Sequence, residues 1–195
     1  MLTRFGTGRS CQLALAVAVA ALGVIAASAC GPAGGGGQAG AEPAATGEAA
    51  TAIYVNSRYH YKVDAPGQMK EQPDGTASVI GPSERLQIAV IHGPQASDPA
   101  ALASGDVTSL PGSTTSFRLV SGPAAITLNS KQVQRFVYSY NAGTSDVTGK
   151  SLDLVGVRYY IPRDSSTIAV LSYAIVSNQY DPQGADDLAG TFAWQ

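Results

Sequence analysis

Residues 167–177, TIAVLSYAIVS, carry no charge and are apolar on both faces of an extended chain. Ile168, Val170 and Val176 fall on one face, and Ala169, Leu171, Tyr173 and Ile175 on the other. A strand that is apolar on both sides belongs inside a sheet covered on both sides. The helices elsewhere limit what can cover it. Two segments open as helices do, at Asp98-Pro99 and Asp181-Pro182, each with an N-cap aspartate followed by proline at the first helical position. Two helices so far apart cannot wind a parallel sheet of βαβ units. The expected fold is therefore α+β: a single α/β/α sandwich with one helix on each face of a central antiparallel sheet of about six or more strands. A two-sheet sandwich is the alternative.

The remaining strands read in pairs. SRYHYKVDAP (57–66) alternates, with Tyr59, Tyr61 and Val63 on one face and Arg58, His60 and Lys62 on the other. It predicts a first strand with one wet face, stopped at Ala65-Pro66-Gly67. TASVI (76–80) and RLQIAVIHG (85–93) form a hairpin across Gly81-Pro82-Ser83-Glu84. A helix follows over 99–109 and ends before Pro111-Gly112. TTSFRLVSGPAAITL (114–128) is extended, with a break at Gly122-Pro123. KQVQRFVYSYN (131–141) follows a turn at Asn129-Ser130, and SLDLVGVRYYIP (151–162) leads through Pro162-Arg163-Asp164-Ser165 into 167–177. The second helix places Ala185, Leu188 and Ala189 on one face and stops near Gly190.

Composition divides the chain. All 9 tyrosines and the single tryptophan lie after residue 50. Residues 52–195 are read as one globular domain, long enough to bury roughly 68% of its extended surface without a staple. Residues 1–29 carry Arg4 and Arg9, then the uncharged run LALAVAVAALGVIAASA at 13–29, the pattern of a signal peptide. Ala27-Ser28-Ala29-Cys30 resembles the bacterial lipobox, with Ala27 where leucine is preferred, and Cys30 is the expected lipidated residue. Ordinary cleavage and an uncleaved anchor are the other two readings of the same bond. Residues 30–51 give the cysteine and a Gly/Ala/Pro linker that cannot bury enough apolar surface to order itself. As a flexible coil it would span roughly 25 Å. Every reading places the domain outside the cytoplasm, and the lipoprotein reading places it on the extracytoplasmic face of a bacterial cell membrane.

Charge and reactive residues exclude several classes. Removing Arg4 and Arg9 from the 12 basic residues leaves 10 against 14 acids, a net charge of −4. No basic cluster supports nucleic-acid binding. After Cys30 the chain has no cysteine. His60 and His92 lack a third ligand at a metal-binding spacing, so no metal and no cofactor are expected. No Gly-x-Ser-x-Gly elbow is present, and Gly34–Gly37 has neither the preceding strand nor the Lys-Ser/Thr of a phosphate loop. Asp186-Asp187 sit near a helix start, where acids suit the dipole. No catalytic residue is assigned, and a non-enzyme is expected. Tyr59, Tyr61, Tyr138, Tyr140, Tyr159 and Tyr160 are the candidate surface for a ligand or partner, because tyrosine offers area and a polar tip at low entropic cost. Filling a sheet–helix core is their other reading.

The order of elements resembles the PsbP-like superfamily, which includes bacterial lipoproteins. The matching stretches are YHYKVDAPGQM, the long middle hairpins, and the ending YDPQGADDLAGTFAW, whose Thr191-Phe192-Ala193-Trp194 fits the family's closing tail. The resemblance covers roughly residues 54–195. It implies the sandwich already derived, and an adaptor or accessory role. The expected function is a lipid-anchored extracytoplasmic binding protein, monomeric, meeting a membrane or cell-envelope protein. The alternative is a binder of a small apolar or aromatic ligand in a tyrosine-lined groove.

Overall fold

The strand that set the expectation lies inside the sheet. The computed structural model describes residues 51–145 and 149–195. The signal segment, Cys30 and the linker up to residue 50 lie outside the described residues. The elements are β1 (Ala52–Asn56), β2 (Tyr61–Ala65), β3 (Lys70–Glu71), β4 (Ala77–Ile80), β5 (Glu84–His92), α1 (Pro99–Ser109), β6 (Arg118–Leu128), β7 (Lys131–Thr144), β8 (Ser151–Asp164), β9 (Thr167–Val176), α2 (Pro182–Gly190) and β10 (Ala193–Trp194). A seven-stranded sheet runs β3-β4-β5-β9-β8-β7-β6, antiparallel throughout. β9 has a long antiparallel neighbour on each side, and its side chains divide between two cores. Ile168 and Val170 pack on the α1 side with Ala103, Phe136 and Tyr160. Ala169, Leu171 and Tyr173 pack on the α2 side with Val137, Val157 and Ala185.

Both helices begin where the Asp-Pro pairs place them. Asp98 accepts from the Ala101 amide at 2.9 Å, and Asp181 accepts from the Gln183 and Gly184 amides at 3.1 and 3.0 Å. The β6–β7 turn at Asn129-Ser130 has φ of 47° and 64°. Positive φ at both central residues lets a two-residue loop follow the sheet's twist.

Three expectations are corrected. Residues 57–60 form a hairpin corner, and the strand expected over 57–66 begins only at Tyr61. Asn56 Oδ1 accepts from the Tyr59 amide at 2.8 Å, and His60 takes φ of 56°. This turn reverses the chain between β1 and β2, so Tyr59 and Tyr61 do not share a strand face, and His60 leaves the charged face assigned to it. The predicted break at Gly122-Pro123 is instead a pair of register shifts within a continuous β6. β6 is the sheet edge, where a residue without an N–H is tolerated. Finally, the α2 face is covered by more than one helix. A three-stranded sheet, β1-β2-β10, lies over it beside α2, with Tyr61, Val63 and Phe192 fully or nearly buried. The Asp64 amide donates to Thr191 Oγ1 at 3.0 Å, joining β2 to the end of α2.

Candidate functional site

Neighbouring residues on a strand point to opposite faces, and β8 uses this to reach both helices. Tyr159 points to the α2 side and its hydroxyl donates to Asp186 Oδ1 at 2.7 Å. Arg135 stands directly opposite Tyr159 on β7, and its Nη1 reaches both oxygens of Asp186 at 2.8 and 2.7 Å. Tyr160 points to the α1 side and its hydroxyl donates to Asp106 Oδ2. Arg158 reaches the same oxygen at 2.5 Å. Each face of the sheet thus presents an arginine and a tyrosine to one aspartate of its covering helix. The second cluster continues into an aromatic ladder, Phe117–Tyr138–Tyr140, with ring centroids 5.5 and 5.6 Å apart.

The electrostatics fix these groups in their resting forms. Burial, then the Asp186 hydrogen bond, pushes the Tyr159 phenol well above its ordinary range. Burial, then Asp106, does the same to Tyr160. Burial opposes the charge on Arg135 and Arg158, yet their partners outweigh it, Asp186 for Arg135 and Tyr138 with Asp106 for Arg158. The two clusters thus tie each helix to its face of the sheet through charge-assisted hydrogen bonds.

The six candidate tyrosines do not line a common groove. Tyr59 sits in the β1–β2 corner, its ring 5.7 Å from that of His92, with the Arg58 guanidinium 5.2 Å from its centroid. Tyr61 is fully buried beside Phe192 and Trp194. Its hydroxyl lies by Asn56 without reaching hydrogen-bond geometry. Tyr138, Tyr140 and Tyr160 belong to the α1 face and Tyr159 to the α2 face. Tyr138, Tyr159 and Tyr160 are at most 7% exposed, so they fill the core between layers. The role of Asp106 and Asp186 is not legible as chemistry in the sequence, because their arginine partners lie 52 and 51 residues away and Tyr159 lies 27 residues from Asp186.

The histidines are separate. The His60 carbonyl accepts from the Gln195 amide at 2.7 Å, and His92 Nδ1 lies 3.2 Å from Thr167 Oγ1. Asp164 accepts from the Ser166 amide and hydroxyl at 2.8 Å each, and these bonds hold its carboxyl below its usual range. Among the described residues, no group of three or more His, Cys, Asp or Glu is arranged to hold a metal ion. No helix among them is long and apolar enough to cross a membrane.

Two surface features face outward. β6 is an edge strand whose residues Arg118–Ala125 are all exposed, including Leu119 and Val120. On the α2 side, a cavity of about 110 Å³ opens between the β6–β7 turn, the end of α2 and β10.

No family model matches the chain. No curated protein matches it either. Among solved structures it is similar to the Ran-binding protein Mog1p of Saccharomyces cerevisiae, at 12% identity and a TM-score of 0.49, over 74% of this chain and 95% of that one. A Bacteroides thetaiotaomicron protein overlaps at 8% identity and TM-score 0.48, over 73% of this chain and 48% of that one. LpqN of Mycobacterium tuberculosis, involved in cell envelope biogenesis, overlaps at 16% identity and TM-score 0.36, over 75% and 83% respectively. At these scores the likenesses carry no argument about activity or partners.

Proposed function

We propose that the chain is a PsbP-like accessory protein, lipid-anchored through Cys30 on the extracytoplasmic face of a bacterial membrane, which binds a membrane or envelope protein and catalyses nothing. The observation that supports this reading is the free edge of β6. Eleven residues long, it ends the seven-stranded sheet, and among the described residues no strand pairs with its outer side. Natural edges are blunted with charge and proline. Here a single charge, Arg118, and Pro123 stand beside exposed Leu119 and Val120. Such an edge accepts an added strand from a partner, with backbone bonds giving affinity and alternate side chains giving specificity. The two Tyr–Arg–Asp clusters support the non-catalytic part, since each one's polar groups are engaged in tying a helix to the sheet.

The test is site-specific photocrosslinking of the full-length chain in membranes. A photoreactive residue at Val120 is expected to trap one discrete envelope protein, while the same residue at Gln183 traps none. Equal trapping at both positions, or none at Val120, overturns the partner reading. Radiolabelled palmitate should enter the wild type and not a Cys30→Ala variant; retained label in that variant overturns the anchor.

A further inference from the structure

The wall of the α2-side cavity is Leu128, Val133, Ile161, Ala189, Phe192 and Ala193, and its two polar residues are Asn129 and Lys131. Asn129 already donates its amide to the Gly190 carbonyl. Lys131 forms no ion pair or side-chain hydrogen bond among the described residues. An apolar cavity of about 150 Å³ stays dry and accepts benzene, so a void of this size has room for about four carbons.

The rim chooses the sign of the head group. An unneutralised ammonium on the exposed rim of an apolar mouth favours an anion, by the modest amount that a water-screened charge supplies. Asp186 and Asp187 line the open groove alongside. Asp186 is neutralised by Arg135, and Asp187 accepts from Gln183 Nε2 at 2.8 Å. Asp187, whose partner is neutral, keeps its negative charge and disfavours an anion in that groove, which leaves the Lys131 side.

We propose that this cavity binds a small carboxylate with an apolar tail of about four carbons, the tail against Ile161, Ala189 and Phe192 and the carboxylate on Lys131 Nζ. The site needs neither the anchor nor a partner at β6, so it goes beyond the accessory role and does not rest on it.

The experiment titrates methyl-labelled full-length protein in nanodiscs with pentanoate, pentanamide and pentylammonium. Pentanoate is expected to give saturable shifts confined to the methyls of Leu128, Val133, Ile161 and Ala189. Pentylammonium is expected to give none. Lys131→Gln, on the exposed rim, should weaken pentanoate about fivefold, the upper end for an exposed charge pair. Ala193→Leu should fill the mouth and abolish the shifts. If that variant fails to fold, Lys131→Gln and the charge-varied probes still decide. Absence of saturable shifts, equal binding of pentanamide or pentylammonium, or unchanged affinity in Lys131→Gln each overturns the proposal. A failed titration leaves the Val120 crosslink intact, and a failed crosslink leaves the titration intact.

Discussion

At the scale of single residues, Gly156 shows how closely the α1-side core is fitted. A Cβ built on Gly156 would lie 2.5 Å from Tyr138 Cζ and 2.8 Å from Cε1. The Tyr138 ring lies over the glycine because the two residues are direct partners across β7 and β8. It cannot swing away cheaply, since Phe117, Phe136 and Tyr140 rings stand 5.5 to 5.6 Å from it. Gly156→Ala is therefore expected to cost about 1–3 kcal/mol in urea unfolding, in the range of overpacked cores. In a Tyr138→Val background the same substitution should cost a few tenths of a kcal/mol or less. Equal costs in both backgrounds would show that the ring is not the obstacle. The tyrosines were visible in the sequence as an excess, but not their directions. Tyr159 and Tyr160 are adjacent in the chain and belong to different cores.

The two helices differ in what holds them. α2 buries Ala185 and Ala189 and packs Leu188 against the α2-side core. α1 fully buries only Ala103 and leaves Leu102 and Val107 partly exposed. So little apolar surface gives α1 a weak hold, and Asp106 supplies the rest through Arg158 and Tyr160. Asp106→Asn removes the charge that neutralises Arg158, whose side chain is 19% exposed. Loss of a fully buried partner costs 3–5 kcal/mol, and the partial exposure of this pair reduces the expectation to about 2. Hydrogen exchange should accelerate in residues 99–109 while the β9 amides keep their protection. Uniform acceleration would mean that α1 is not an independently held element. At this scale the caps were legible, because an Asp-Pro pair acts over three residues. β1 was not. Its apolar Ile53 and Val55 face solvent at 73% and 52% exposure, and its inward Asn56 is polar, which inverts the usual pattern.

For the whole molecule, the buried phenols govern behaviour in alkali. Tyr61, Tyr159, Tyr160 and Tyr173 are all pushed up, first by burial and then by nearby phenols or carboxylates. In the unfolded chain they ionise near pH 10, about their ordinary value. Between that pH and their higher folded values, the unfolded state has released protons that the native state retains. Stability is thus fully present below about pH 10 and falls as pH rises above it. The urea midpoint should be flat from neutrality to about pH 9 and then drop. The drop should be shallower in Tyr159→Phe and Tyr160→Phe. An unchanged slope in both variants would place the alkaline sensitivity elsewhere.

The sequence alone determined those features that act over a few residues or through strand periodicity. The two-faced apolar pattern of 167–177 put β9 inside a doubly covered sheet. The Asp-Pro pairs set where the helices start, and Asn129-Ser130 marked a turn that the structure forms with positive φ at both residues. Only the tertiary structure decided what covers the second face, which aspartate meets which arginine, and where the tyrosines point. These depend on strand register and on contacts between residues about fifty or more positions apart. Coulomb attraction and close packing act on distance in space, and the chain's local pattern does not encode that distance.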